Sequence, residues 1–275
     1  MVVRARALVG WMVLVLACAV GSWACGGATA TSPSGSTAPQ ASGTRPAGPA
    51  TQPAPGEFVP FTFIHAGDTE LGSPDLEGTA RRFGLLARRA NALDVAAVII
   101  AGDLFHDPGH ADQQQAFDEV LKLFRMDVRA VPGNHDHPDM DVFRKRFGRE
   151  NSVFTLHNCD FVCLDSNDLS AKALAWLEEV LAGAEGARRT HTFVVMHHPP
   201  AEGGAADKVL RRHHVSGVLC GHLHTTGQAD RPGYRVYWVS GTAKVRDANG
   251  LRYNLFRVQA DRVEQESRLV EKEVP

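Results

Sequence analysis

The chain has 275 residues, of which 29 are basic, 31 acidic and 13 histidine, for a formal net charge of −2. That near balance, with no basic run, argues against nucleic acid as a partner. Hydrophobic residues make up 44%, enough for a packed core, and nothing beyond residue 25 reads as a membrane span.

Residues 1–56 contain no Asp or Glu and none of the histidines. Two arginines lie in the first six positions, 7–20 is apolar apart from Gly10, and small residues follow through Ala30. This is the charged, apolar and small-residue order of a secretory signal. Two processing readings stay open. Ser22-Trp23-Ala24-Cys25 resembles a bacterial lipobox, with Ser where Leu is usual, and would make Cys25 a lipidated residue. Ala28-Thr29-Ala30 instead suits an ordinary signal peptidase. Either reading makes the protein extracytoplasmic: a periplasmic or cell-surface lipoprotein, alternatively a secreted protein. The membrane is then a partner only through an N-terminal lipid anchor. The expected layout is a signal over 1–25, a tether over 26–56 and a folded domain over 57–275. The tether is almost all Gly, Ala, Thr, Ser, Pro and Gln, too poor in bulky side chains to offset the entropy of ordering it.

In the folded part, strand-like apolar runs fall near 59–66, 96–101, 128–132, 152–156, 160–165, 191–197, 215–220, 234–240 and 251–258. Helical patterns cover 79–93, 111–126, 138–147 and 170–182. Phe117, Val120, Leu121 and Phe124 form one stripe, and Leu174, Leu177, Val180 and Leu181 another. The final stretch reads as strands around a turn at Asp247-Ala248-Asn249-Gly250. Alternating strands and helices, then mostly strands, predict an α/β fold with two packed mixed β-sheets flanked by helices. Cys159 and Cys163 are four residues apart in extended chain, too far for a disulfide, so both and Cys220 are expected as buried thiols.

Five of these runs break onto a metal-binding side chain: FTFIHAG onto Asp68, VAAVIIAG onto Asp103, VRAVPG onto Asn134, HTFVVM onto His197, and VSGVLCG onto His222-Leu223-His224. Ligands of open α/β sheets bind outside the carboxyl ends of the strands. The donors are therefore aimed at one volume, and glycines 67, 102, 133 and 221 are expected to let the chain turn sharply there. Carboxylates mixed with imidazoles in this pattern suit a dinuclear site for divalent metal ions.

Gly102-Asp103, Gly133-Asn134-His135-Asp136 and Gly221-His222-Leu223-His224 resemble three blocks of the calcineurin-like metallophosphoesterases, whose pattern runs DxH, GDxxD, GNH(E/D), H and GHxH. Asp68-Thr69-Glu70 stands at the first block and His197 at the lone His. The resemblance covers roughly residues 58–260 and implies that family's sandwich for the 57–275 domain. It further implies a first ion on Asp68, Glu70, Asp103 and His224, and a second on Asp103, Asn134, His197 and His222. Asp103 bridges the two. A water shared by the ions would attack a phosphate mono- or diester in line. His135 would protonate the leaving oxygen, with Asp136 orienting its ring.

Two positions depart from the pattern. Glu70 replaces a His and makes the first site more anionic, favouring Mn, Fe or Mg over Zn, with a Mn-like ion preferred. His106 stands where GDxxD has its second Asp, as in a small, cap-free branch of the family. Neither GDxxDRG nor GNHE, strings of the protein Ser/Thr phosphatases, occurs. Other readings are a metal-binding pseudoenzyme or surface binding module in which Glu70 marks a lost site, and a nuclease, which the acidic domain disfavours. Among the remaining histidines, His65 reads as a core residue or one that supports a ligand from behind, His198 as structural or substrate-facing, and His213-His214 as solvated or facing the helix dipole at a helix end.

Overall fold

The computed structural model of the protein describes residues 58–241 and 250–271. The signal-like segment with Cys25, the tether, and Asp247, Ala248 and Asn249 of the expected turn lie outside the described residues. The apolar runs form β1 (Phe61–Ala66), β2 (Ala97–Ala101), β3 (Asp127–Val131), β4 (Ser152–Leu156), β5 (Cys159–Cys163), β6 (His191–Val195), β7 (Gly217–Cys220), β8 (Gly227–Arg231), β9 (Tyr234–Trp238), β10 (Arg252–Val258) and β11 (Val263–Leu269). The helices are α1 (Leu76–Leu93), α2 (Ala111–Leu121), α3 (Met140–Phe147), α4 (Ala171–Gly186) and α5 (Ala205–Leu210).

Two mixed sheets result, one ordered β11-β10-β1-β2-β3 and the other β4-β5-β6-β7-β9-β8. Strands β1 to β3 are parallel, as are β5, β6, β7 and β9. Period-two alternation assigns each strand's two faces to different cores. Phe61, Phe63, Ile99 and Ala101 of the first sheet meet Phe161, Phe193, Val195 and Leu219 of the second. Their alternates Ile64, Ala66, Val98 and Ile100 face α1, α2 and α3. Val162, Val194 and Val218 face α4 and α5. The order of layers is therefore helix, sheet, sheet, helix, as expected.

The helices are bounded by local chemistry. The Asp75 carboxylate accepts from the Gly78 amide at 2.5 Å, and α1 ends at Asp94 in a left-handed conformation. The Ser170 hydroxyl caps α4, whose buried stripe is Ala173, Leu177, Leu181 and Ala184. Helix α2 stops five residues earlier than its stripe suggested, because the chain must turn to enter β3, although Phe124 still packs on the core. Two elements carry no periodic signal: α5 is six residues long, and β8 is a polar edge strand, GQADR. His213 is not solvated; its ring lies 3.0 Å from Glu178 and 3.3 Å from Glu185, tying the end of α5 to α4. His65 is fully buried, as expected, and burial lowers its imidazole to about 3. Cys159, Cys163 and Cys220 are buried free thiols.

Phe63 anchors the contact between the sheets. Its ring stacks on Phe256 at 4.8 Å and meets Phe161 and Phe193 edge-on at 5.2 and 5.3 Å. Replacing Phe63 with Ala should cost about 3–5 kcal/mol of stability, read as a lower urea midpoint with an unchanged slope.

Candidate metal centre

The parallel strands of both sheets end at a common edge, where five loops carry the candidate residues. Asp68 and Glu70 follow β1, Asp103 follows β2, Asn134 and His135 follow β3, His197 follows β6, and His222 and His224 follow β7. Backbone bonds join neighbouring loops: Asp68 donates to the Gly102 carbonyl, Glu70 to that of Asp103, and Gly221 to that of His197. The two sheets are also tied to each other here. The His222 amide donates to the Asp68 carboxylate at 3.0 Å.

Side chains from these loops form two groups. In the first, Asp68, Glu70, Asp103 and His224 each offer a ligand atom, all within 4.8 Å of one another and all buried. Glu70 points inward, with Oε1 3.2 Å from His224 Nε2. The second group is His197, His198 and His222. Asp103 touches both, because its Oδ2 lies 3.2 Å from His197 Nε2. Asn134 Oδ1 lies 3.2 Å from that same nitrogen. The seven expected ligands thus lie at one edge, and the structure adds His198 beside them.

The donor set fits divalent cations. His197 Nδ1 donates to the Ala101 carbonyl at 2.8 Å, which leaves Nε2 facing two oxygens, Asp103 Oδ2 and Asn134 Oδ1. A proton on Nε2 satisfies that contact, and a divalent cation that displaces the proton finds a nitrogen and two oxygens already converging. Burial pushes the Asp68 carboxyl up to about 7, with neighbouring Asp103 adding to the rise against His197 and His224. Burial also works to raise Asp103, but His197 and the His135 amide outweigh it and hold that carboxyl below its usual value. Burial alone would lower His197; Asp103 and Asp68 lift it to about 9.

Convergence is built into the backbone. Among the described residues nine non-glycine positions have positive φ, and five are Asp68, Glu70, Asp103, His222 and His224. Such conformations are costly for residues with a Cβ and persist where surrounding structure enforces them. The sharp turns therefore fall on the ligands themselves, which corrects the reading of the glycines. Only Gly102 of the four has positive φ. At Gly133 the requirement is space: a Cβ there would sit 2.1 Å from Asp103 Oδ1.

Asp136 does not orient His135. Its carboxylate accepts from the amides of Leu104, Phe105 and Gly133, pinning the loop after β2 to the loop after β3. His135 Nδ1 instead donates to the His106 carbonyl at 2.9 Å, and the two rings lie 5.3 Å apart. Sequence reasoning also missed the end of β5. CDFVCL breaks onto Asp165-Ser166 in the same way as the other five runs. Asp165 Oδ2 meets His137 Nε2 at 2.8 Å and Ser166 Oγ meets His198 Nδ1 at 2.9 Å, so this strand end braces the site without joining either ligand group.

The calcineurin-like phosphoesterase profile matches residues 61–226, from β1 through the His222-Leu223-His224 turn. The chain belongs to that family. A 3′,5′-cyclic adenosine monophosphate phosphodiesterase of Escherichia coli K12 is 31% identical over 176 residues, covering 55% of this chain and 62% of that protein. A cAMP/cGMP dual specificity phosphodiesterase of Mycobacterium tuberculosis is 27% identical over 227 residues, covering 68% of this chain and 69% of its own length. The chain thus spans about three-fifths of the E. coli relative. A dimetal phosphatase from Danio rerio shares the fold at a TM-score of 0.63 and 16% identity, over 78% of this chain and 98% of that one.

Two measurements test this geometry. The purified 57–275 fragment should bind about two equivalents of divalent metal, and Asp103→Asn should lose both, because Asp103 reaches both groups. Added Mn²⁺ should raise the melting temperature. Below about pH 9 the ion must displace a proton from His197, and below about pH 7 one from Asp68 as well, so the gain should shrink as the pH falls from about 9 and more steeply below about 7.

Proposed function

We propose that the protein is a metal-dependent phosphoesterase acting on phosphodiesters, with a cyclic nucleotide the first substrate class to test. The observation that carries this reading is the pair of adjacent donor groups joined by Asp103 at the shared edge of the two sheets. Asp68, Glu70, Asp103 and His224 would hold one ion, and Asp103, Asn134, His197 and His222 the other. Divalent ions there supply an ionised water near neutral pH and offset charge that develops on the phosphoryl oxygens. The names of the E. coli and M. tuberculosis relatives favour a diester over a monoester. The inward carboxylate of Glu70 speaks against a decayed first site, and so against a pseudoenzyme.

The protein's own residues handle the proton. The His106 carbonyl fixes the Nδ1 proton of His135, so Nε2 is the atom that delivers a proton to the leaving oxygen. His135 is only partly buried, which leaves it open to substrate. Replacing His135 with Ala should keep metal content and lower kcat by about 10²–10⁴. The loss should be smaller for a good leaving group, as in bis-p-nitrophenyl phosphate, than for cyclic AMP. Equal losses on both would assign His135 to phosphate binding. If wild type turns over p-nitrophenyl phosphate but neither diester, the diester reading is wrong.

Glu70 sets metal preference in this proposal. Three carboxylates and one imidazole form a hard donor set, so activity should be highest with Mn²⁺ and modest with Zn²⁺. Glu70→His should shift the preference towards Zn²⁺, and Glu70→Ala should leave about one equivalent bound. Unchanged stoichiometry and preference in both variants would remove Glu70 from the ligand set.

Export is proposed from the sequence alone, with Cys25 as the lipidated residue. Among the described residues no helix is long and apolar enough to cross a membrane. Cys25→Ser should move the protein from the membrane to the soluble fraction or stall its processing. A wild type that is soluble, with its N-terminus at Thr31, would indicate secretion without an anchor.

A further inference from the structure

Several contacts between the two sheets at the ligand edge run through proposed ligands: His222 with Asp68, and His197 with Asp103 and Asn134. The pair His137–Asp165 crosses between the sheets there without including a ligand. His137 Nε2 donates to Asp165 Oδ2 at 2.8 Å, so the loop after β3 of the first sheet is joined to the end of β5 in the second. Asp165 makes a fixed post for this bond. Its carboxylate is buried, its amide donates to Asn151 Oδ1 at 2.7 Å, and its Oδ1 accepts from the amide and side chain of Asn167 at 2.9 and 3.0 Å. The other oxygen, Oδ2, is the one that His137 engages.

His137 lies two positions beyond His135, on a loop that is pinned from the opposite side by the first sheet. The His135 amide donates to Asp103 Oδ1, and its Nδ1 to the His106 carbonyl, each at 2.9 Å. The Asp136 carboxylate accepts from Gly133, Leu104 and Phe105. All of these partners stand on the loops after β2 and β3. They fix His135 relative to Asp103, whereas His197 and His222 are carried by the second sheet. A proton donor acts across a gap of one hydrogen bond, and a misplacement of about 1 Å can cost about 10²-fold in rate. The clasp on Asp165 sets the distance of the His135 loop from the second sheet.

We infer that His137, anchored by Asp165, is a positioning residue for His135. It holds the proton-donating loop against the second sheet and touches neither substrate nor ion itself. The inference rests on the phosphoesterase reading above, with His135 as the general acid.

The test compares wild type, His137→Ala, His137→Gln, His135→Ala and the double variant His135→Ala/His137→Ala of the Mn²⁺-loaded protein, for metal content and for kcat and KM. The His137 side chain is 36% exposed, so its removal leaves the core intact. His137→Ala should keep both metal equivalents and the KM for cyclic AMP, and lower kcat by about 10- to 100-fold. The loss should be smaller with bis-p-nitrophenyl phosphate, whose leaving group needs little protonation. His137→Gln can still donate to Asp165 and should recover most of the loss. The double variant should be no slower than His135→Ala alone, because residues that act as a unit are not additive. Equal losses on both diesters, or losses that multiply in the double variant, would overturn the inference while leaving the phosphoesterase reading intact. A missing metal equivalent in His137→Ala would also overturn it, by showing that the clasp serves Asn134. A wild type that turns over neither diester would overturn both readings.

Discussion

The burial of several carboxylates within a few ångströms of one another governs the rest of this structure. Asp68, Glu70 and Asp103 are almost wholly excluded from solvent. Two like charges about 4 Å apart repel by about 4 kcal/mol at an effective dielectric constant near 20. Imidazoles from the other sheet answer part of that repulsion, and burial, by raising the Asp68 carboxyl to about 7, favours a proton there. A cation does so most completely, which explains why a fold would keep such a cluster. The constraint extends to the backbone, since Asp68, Glu70, Asp103, His222 and His224 aim their side chains inward from left-handed conformations.

Such a cluster needs a rigid frame, and the aromatic layer between the sheets supplies it. Phe63, Phe161, Phe193 and Phe256 interlock at centroid distances of 4.8 to 6.3 Å. This fixes β1 against β5 and β6, so their carboxyl ends stay aligned. The loops beyond are then stitched by buried polar bonds: Asp136 joins two loops of one sheet, and Asp68 with the His222 amide joins the two sheets. Removing a partner from such a bond leaves a buried group unsatisfied, at a cost of about 1–3 kcal/mol.

Much of this was legible in the sequence because it depends on local order. An apolar run that ends on Asp, Asn or His marks a strand end and its cargo together, so Asp68, Asp103, Asn134, His197, His222 and His224 could be read directly. The layers followed from alternation in the strands and from the stripes on α2 and α4. What could not be read depends on contacts distant in the chain. The role of Asp136 is set by the Leu104 and Phe105 amides, 32 and 31 positions away, which no spacing rule reports. His198 is held by Ser166, which lies 32 residues earlier. His213 looked solvated because its carboxylate partners lie on another helix. Strand β8 and helix α5 escaped notice because one is polar and the other too short for a period to show.

Strand order in the first sheet also bears on the timing of folding. β1 is the first strand made and sits at the centre of its sheet, yet one of its two neighbours is β10, nearly two hundred residues later. As the chain leaves the ribosome, β2 and β3 can join β1 early. The other edge of FTFIHA stays open until residues 252–258 emerge. An apolar strand with a free edge is a template for pairing with other chains. Synthesis of this protein therefore includes a long interval in which one edge of this apolar strand is unprotected. A chaperone that holds that edge, or a pathway that keeps the chain extended until its last hairpin is made, would serve this topology better than stepwise folding from the N-terminus.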